Sequence, residues 1–175
     1  MNMKQFLHVF ASLSLFLLSG AASALGSSST SLNVIAIVPS SCQIDTHSIM
    51  FGNYDPASSS ATTATGSVIL TCVKGSLPTL TMDWGQNATG TYRAMKGGST
   101  DVLQYQLYQP SSNTPGIACT YKESVVWGNS TGEKFVATAS PSIVPRTYNI
   151  CGVIPAGQDV ATDFYRDKVI AQIDF

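Results

Sequence analysis

Beyond Ala24 no window of the sequence places apolar side chains at i, i+3, i+4 and i+7, so an amphipathic helix has no face to bury. Short β-rich runs recur instead: Ile49 to Phe51, Ser67 to Val73, Thr79 to Trp84, Leu103 to Tyr108, Glu123 to Trp127, Lys134 to Ala137, Tyr148 to Val153 and Lys168 to Phe175. Turn formers separate them, as at Gly52-Asn53-Tyr54-Asp55-Pro56, Lys74-Gly75-Ser76, Lys96-Gly97-Gly98-Ser99, Asn129 to Gly132 and Pro155-Ala156-Gly157. This pattern predicts an all-β chain, most simply a sandwich of short antiparallel strands.

Only 11% of the 175 residues are charged, against roughly 25% in ordinary soluble domains. Small hydroxylated side chains must therefore cover much of the surface, which suits an extracellular β protein. The net charge of −1, with no run of like charge, excludes an electrostatic binder of nucleic acid or of anionic membranes.

Residues 1–24 read as a secretory signal. Lys4 precedes an apolar stretch from Val9 to Leu18 that is shorter than the roughly 20 residues a bilayer core requires, and Ala22-Ser23-Ala24 supplies a small-x-small cleavage pattern. Four cysteines follow, Cys42, Cys72, Cys119 and Cys151. An even number in an exported chain reads as disulfides, and the paired C-x-x-C spacings of a zinc site are absent. Of the three possible connectivities, Cys42 with Cys72 and Cys119 with Cys151 is favoured, because each closes a loop of about 30 residues, contributing about 3–4 kcal/mol in a chain-entropy model.

The two ends of the remaining chain carry the most pronounced alternation. Gly26 to Ser31 is a Gly/Ser/Thr leader with nothing to bury. Leu32, Val34, Ala36 and Val38 then alternate with Asn33, Ile35 and Ile37, an apolar strand polar only at Asn33, which Pro39 stops. At the other end Val169, Ala171, Ile173 and Phe175 alternate with Lys168, Ile170, Gln172 and Asp174. No turn or edge partner follows, and an apolar strand edge left open invites pairing with another chain. Intermolecular strand exchange is the expectation.

Other features have bland readings that outweigh sharper ones. Gly128-Asn129-Ser130-Thr131-Gly132 spells G-x-S-x-G, but no helix and no later histidine accompany it, so a hairpin loop is favoured over a nucleophile elbow. His47 lacks a Cys-His spacing and is no metal ligand, and Asp55, Asp101, Asp159, Asp163 and Asp167 beside Gly and Pro read as turn formers rather than calcium ligands. Trp84 and Trp127 each precede a glycine, where packing is commoner than sugar stacking. Asn87-Ala88-Thr89 and Asn129-Ser130-Thr131 match the N-glycosylation pattern, which matters only in a eukaryotic host. No catalytic residue, cofactor or metal is expected.

A set of segments taken in order resembles the spore coat protein U domain, the subunit family of Csu-type archaic chaperone-usher pili. They are Cys42-Gln43-Ile44, Phe51-Gly52-Asn53-Tyr54-Asp55-Pro56, Gly66 to Cys72, Arg93-Ala94-Met95, Leu103 to Tyr108, Trp127-Gly128, Tyr148 to Gln158, and Tyr165-Arg166-Asp167-Lys168-Val169. The chain departs from that family at Asp163, where glycine is common, and in an insert from Pro110 to Thr120 that carries Cys119. The resemblance implies an incomplete immunoglobulin-like β-sandwich, completed by a donor strand from another chain. It implies three segments: a signal at 1–24, a donor segment at 25–38 and a pilin domain at 39–175. Leu32, Val34, Ala36 and Val38 would be the donor residues, and Val169, Ala171, Ile173 and Phe175 the strand that a chaperone and then a neighbour engages. The implied partners are a periplasmic chaperone, an outer-membrane usher and neighbouring subunits. The implied product is a cell-surface fimbria serving adhesion or biofilm formation. The alternative expectation is a secreted single-domain module that binds carbohydrate or a surface through Trp84 and Trp127.

Overall fold

The structure, a computed structural model, describes residues 25–175; the secretory signal expected at residues 1–24 lies outside them. The chain divides between Ile37 and Val38. Residues 25–37 form no strand, and all are exposed. The strand expected over Leu32 to Val38 is thus not formed, since a strand without a neighbour leaves its backbone N–H and C=O groups to water.

From Val38 onward the regular structure of the described residues is entirely β. The strands are β1 (Cys42–His47), β2 (Thr62–Cys72), β3 (Thr79–Met82), β4 (Arg93–Lys96), β5 (Val102–Tyr108), β6 (Phe135–Val136), β7 (Arg146–Ile154) and β8 (Ala171–Asp174). They form a five-stranded sheet ordered β1-β2-β7-β5-β4 and a three-stranded sheet ordered β6-β3-β8. Every ladder is antiparallel.

Alternation explains the core. In β2, Ala64, Val68, Leu70 and Cys72 turn inward while intervening residues remain at least partly accessible. Leu103, Tyr105 and Leu107 of β5 and Tyr148, Ile150 and Ile154 of β7 join them, and Leu80, Met82, Trp127 and Phe135 belong to the same cluster. Trp127, Phe135 and Tyr148 stack in series, with ring centroids 4.9 and 5.2 Å apart.

Several expectations are revised. The run Ile49 to Phe51 is not a strand; it lies across the face of the larger sheet, where β2 and β7 offer glycines. A Cβ on Gly66 would sit 2.4 Å from Ile49 Cγ1, and one on Gly152 would sit 2.8 Å from Phe51 Cζ, so both positions are kept bare by close packing. Glu123 to Trp127 contributes a single bridge, Val126 to Tyr108. Two strands have no counterpart in the alternation pattern: β1, which has one aliphatic side chain, and β4, whose first residue is a buried arginine.

Candidate functional site

β1 is an outer strand of the larger sheet and β8 an outer strand of the smaller one, and the two lie close to each other. Among the described residues no ladder joins them. The hydrogen-bonding phase of each edge follows from its neighbours. The Val73 N–H donates to the Ser41 carbonyl at 2.8 Å, one step beyond the Cys42–Cys72 pair. Gln43, Asp45 and His47 therefore address β2, and Cys42, Ile44 and Thr46 present N–H and C=O to the open side. Consistently, the Thr46 N–H is taken up locally by the Asp45 carboxylate at 2.7 Å. On the other wall the Asp83 N–H donates to the Ile170 carbonyl at 3.0 Å, beside the Met82–Ala171 pair. Ala171 and Ile173 consequently turn their backbone groups outward. Each edge is a template for an added strand.

The side chains along the gap are apolar and only half covered. Cys42, Ile44, Val169, Ala171 and Ile173 are partly buried against the core, while Phe175 remains 55% exposed. The open seam is thus two backbone edges without a strand partner, flanking a strip of incompletely buried apolar surface.

Both walls are held in place by contacts distant in sequence. The Cys42–Cys72 disulfide ties β1 to β2, with the Cα atoms 4.0 Å apart. The start of β8 is pinned by two aspartates. Asp83 Oδ1 accepts from the Ile170 N–H at 2.9 Å and the Gly85 N–H at 3.0 Å. Asp167 accepts from the Gln86 N–H at 2.9 Å, the Asn87 amide at 3.0 Å and the Tyr105 hydroxyl at 2.8 Å. Burial first, and then the neighbouring Asp167, push the Tyr105 hydroxyl well above its ordinary pKa, so it stays protonated and donates. Gly85, at φ +79°, packs against the Asp167 carboxylate where any Cβ would collide.

Asp83 also connects to a buried arginine. Arg93 is fully buried, and its guanidinium donates to the Asp83 carbonyl at 2.9 and 2.7 Å, the Trp127 carbonyl at 2.6 Å and Gln106 Oε1 at 2.6 Å. Burial pulls it below its ordinary pKa. Its charge is met by backbone carbonyl dipoles and a side-chain amide rather than by a directly bonded carboxylate. The local residue chemistry around Arg93, Asp83 and Tyr105 gives no hint of these roles. Arg93-Ala94-Met95, Leu103 to Tyr108 and Tyr165-Arg166-Asp167 do stand among the segments that carry the family resemblance, and that is the available signal.

The remaining expected site residues fall as follows. Leu32 and Val34 are each 86% exposed and Ala36 is exposed; these three belong to the unit ending at Ile37, and Val38, 76% exposed, opens the body. The second disulfide joins Cys119 of the insert to Cys151 of β7. Trp127 is fully buried, with its indole N–H toward the Leu80 carbonyl at 3.4 Å, so it is a core residue and no sugar platform. Trp84 is half-buried, with the Arg93 guanidinium 5.2 Å from its ring. Ser130 lies in a turn whose backbone carbonyl accepts from the Glu133 N–H, without the strand–turn–helix setting of a nucleophile. Among the described residues no three His, Cys, Asp or Glu side chains come together as metal ligands.

Comparison with known proteins places this arrangement. The family model of the Spore Coat Protein U domain matches residues 28–172. Protein U of Myxococcus xanthus is 29% identical over 163 residues, 82% of this chain and 83% of that protein. The fold is similar, at a TM-score of 0.55 and 20% identity, to a chain in the crystal structure of the CsuC–CsuE chaperone–tip adhesion subunit pre-assembly complex from archaic chaperone-usher Csu pili of Acinetobacter baumannii. That likeness covers 79% of this chain but 40% of that one. With the family's domain spanning nearly the whole described chain and an all-β body left open along one seam, the protein belongs to the Spore Coat Protein U domain family.

Proposed function

We propose that the chain is a non-enzymatic subunit of a chaperone-usher fimbria, and that the open seam between β1 and β8 is the acceptor groove for a donated strand. The observation that carries this reading is the pair of edges flanking Ile44, Ala171 and Ile173, with which no other strand of the body pairs. A strand laid there would satisfy backbone groups of Cys42, Ile44 and Thr46 on one wall and of Ala171 and Ile173 on the other. Its alternate side chains would cover the apolar strip, as in strand addition generally.

The donor in a polymer would be residues 25–38 of the next subunit, presenting Leu32, Val34, Ala36 and Val38. Four apolar side chains at a spacing of two residues suit a strip lined by β-strand side chains of the same period. Each large one contributes about 1.5–3 kcal/mol if fully buried, before ordering costs. Before assembly a periplasmic chaperone would occupy the seam, and an outer-membrane usher would exchange it for the donor segment. In this reading residues 1–24 direct export, the body begins near Val38, and the assembled fimbria serves adhesion or biofilm formation at the cell surface.

The test is a deletion of Gly26 to Val38, compared with Ile173→Asp. The deletion should leave a chain that forms both disulfides and co-purifies with the chaperone but yields no surface polymer by non-denaturing electrophoresis and microscopy. Ile173→Asp puts a charge into the strip and should lower the periplasmic level of the subunit. Polymer from the deletion variant, or a stable wild-type monomer with neither chaperone nor added strand, would overturn the proposal.

A further inference from the structure

A second surface feature lies between the end of β4 and the loop that leads into β8. At the end of β4, the Lys96 N–H donates to the Arg166 carbonyl at 2.9 Å and the Arg166 N–H to the Lys96 carbonyl at 3.1 Å, an isolated antiparallel bridge that sets the two side chains next to each other. Around this bridge opens a cleft of about 570 Å³ whose lining includes Gln86, Asn87, Lys96, Phe164, Arg166 and Lys168. The chain from Val38 has eight basic residues, of which Arg93 and Arg146 are buried. Half of the six remaining cations therefore converge on one cleft in a protein with little charge.

Two carboxylates share the cleft and are already committed. Asp163 accepts from the backbone N–H groups of Gly98, Ser99 and Phe164. Asp167 is occupied by Gln86, Asn87 and Tyr105. All these donors are neutral, so the three cations keep their hydrogen-bonding capacity for something else, and the cleft retains a formal charge of +1, three cations less two carboxylates. Phe164 adds an exposed aromatic ring, 72% accessible, with the Arg166 guanidinium 5.2 Å from its centre. The Gln86 side chain and the carbonyl oxygen of the Asn87 amide offer partners for hydroxyl groups.

We propose that this cleft binds an acidic saccharide unit, its carboxylate held by Lys96, Arg166 and Lys168 and one face of its ring stacked on Phe164. The combination selects that class. A ring with C–H groups on one face suits an exposed aromatic, a planar carboxylate suits a guanidinium with ammonium neighbours, and the volume falls within the roughly 300–1,000 Å³ of small-ligand sites. A polyphosphate chain would call for a longer basic track. The proposal does not rest on strand exchange, because the cleft is complete within one chain.

The experiment uses the exported full-length chain as purified, with any chaperone that accompanies it, and titrates trigalacturonate, maltotriose and tripolyphosphate calorimetrically. Trigalacturonate should bind and maltotriose should not. The double variant Lys96→Gln with Lys168→Gln, and separately Phe164→Ala, should each weaken trigalacturonate about tenfold or more, which corresponds to at least one lost contact pair, with both disulfides and the circular dichroism spectrum unchanged. Absence of trigalacturonate binding, equal binding of maltotriose, or affinity unmoved by the double variant would overturn the proposal. Tripolyphosphate binding as tightly as trigalacturonate, with Phe164→Ala affecting neither, would also overturn it by reducing the cleft to an anion site.

Discussion

The two long seams of the sandwich are finished in opposite ways. Along one, the segment Val125 to Gly128 crosses from the larger sheet to the smaller, bonding to both. The Gln109 N–H donates to the Val125 carbonyl at 2.9 Å, the Trp127 N–H to the Leu107 carbonyl at 2.9 Å, and the Met82 N–H to the Gly128 carbonyl at 3.2 Å. Trp127 fills the space beneath, and Arg93, rooted in β4, clamps the end of β3 to the larger sheet. Along the other seam, β1 and β8 share no ladder, and their inward side chains are only half covered. A seam stitched by the chain's own backbone needs nothing more. A seam with two bare edges and an apolar floor is what the proposed acceptor groove requires, because exposed N–H and C=O groups next to apolar surface are satisfied best by another strand.

This contrast is open to attack, and the sharpest blow falls on the closed seam. Arg93→Met strands the carbonyls of Asp83 and Trp127, while Gln106 Oε1 keeps the Leu107 N–H; at about 1–3 kcal/mol for each unsatisfied buried group, the loss should be about 3–5 kcal/mol in all. Denaturant melts should show that loss with and without a donor strand, since the Gln106 and Trp127 contacts of Arg93 lie on the closed side, with Asp83 as its link to β8. A loss that disappeared on strand addition would show the two seams to be coupled.

The next effect separates the disulfides. Replacing Cys42 and Cys72 together by Ala removes a bridge of sequence separation 30, a loss of about 3–4 kcal/mol in the chain-entropy model. It also frees β1, one wall of the proposed groove, so capture by chaperone or by a peptide spanning Leu32 to Val38 should weaken as well. Removing Cys119 and Cys151 should cost a similar stability and leave capture intact, because that bridge anchors the insert to β7. Parallel unfolding and peptide-binding measurements on the two double variants check this.

A milder change probes the floor of the open seam. Ile44→Ala should cost about 1–2 kcal/mol in the strand-complemented state, less than a fully buried truncation. In the uncomplemented state the loss should be smaller still, because half of the side chain is already in water there. Melting temperatures with and without added donor peptide give the difference directly.

The smallest effect belongs to the loop beside β4. The backbone N–H groups of Phe164, Ser99 and Gly98 hold the Asp163 carboxyl below its usual pKa. A carboxyl depressed in the folded state contributes stability that is present above its unfolded value, about 3.9, and is lost as pH falls through the folded value. Wild type should therefore be slightly more stable than Asp163→Asn at neutral pH, and the two should converge in the acid range. Thermal melts of both proteins across that range test the sign.

Much of this molecule follows from local pattern. Period-two burial in β2, β5 and β7, punctuated by glycine and proline turns, forces an all-β body, because alternating side chains can be buried only on one face of a sheet. An even set of cysteines behind a segment that reads as an export signal points to disulfides on chemical grounds alone. The alternation of Val169, Ala171 and Ile173 likewise marks an apolar strand face by its spacing alone. What local pattern could not supply is which strands end a sheet. That depends on pairing between segments far apart in sequence, and β1 and β8 become walls of an open seam because each is paired on one side only, β1 with β2 and β8 with β3. The same reason hid Arg93. An arginine in a strand reads as surface, and only the fold brings Asp83 and Trp127, 10 and 34 residues away in sequence, to the positions where their carbonyls can receive a buried charge. It also decided between the two readings of Trp127 in favour of packing, the one the sequence preferred, since burial of a large ring is fixed by the elements that close over it.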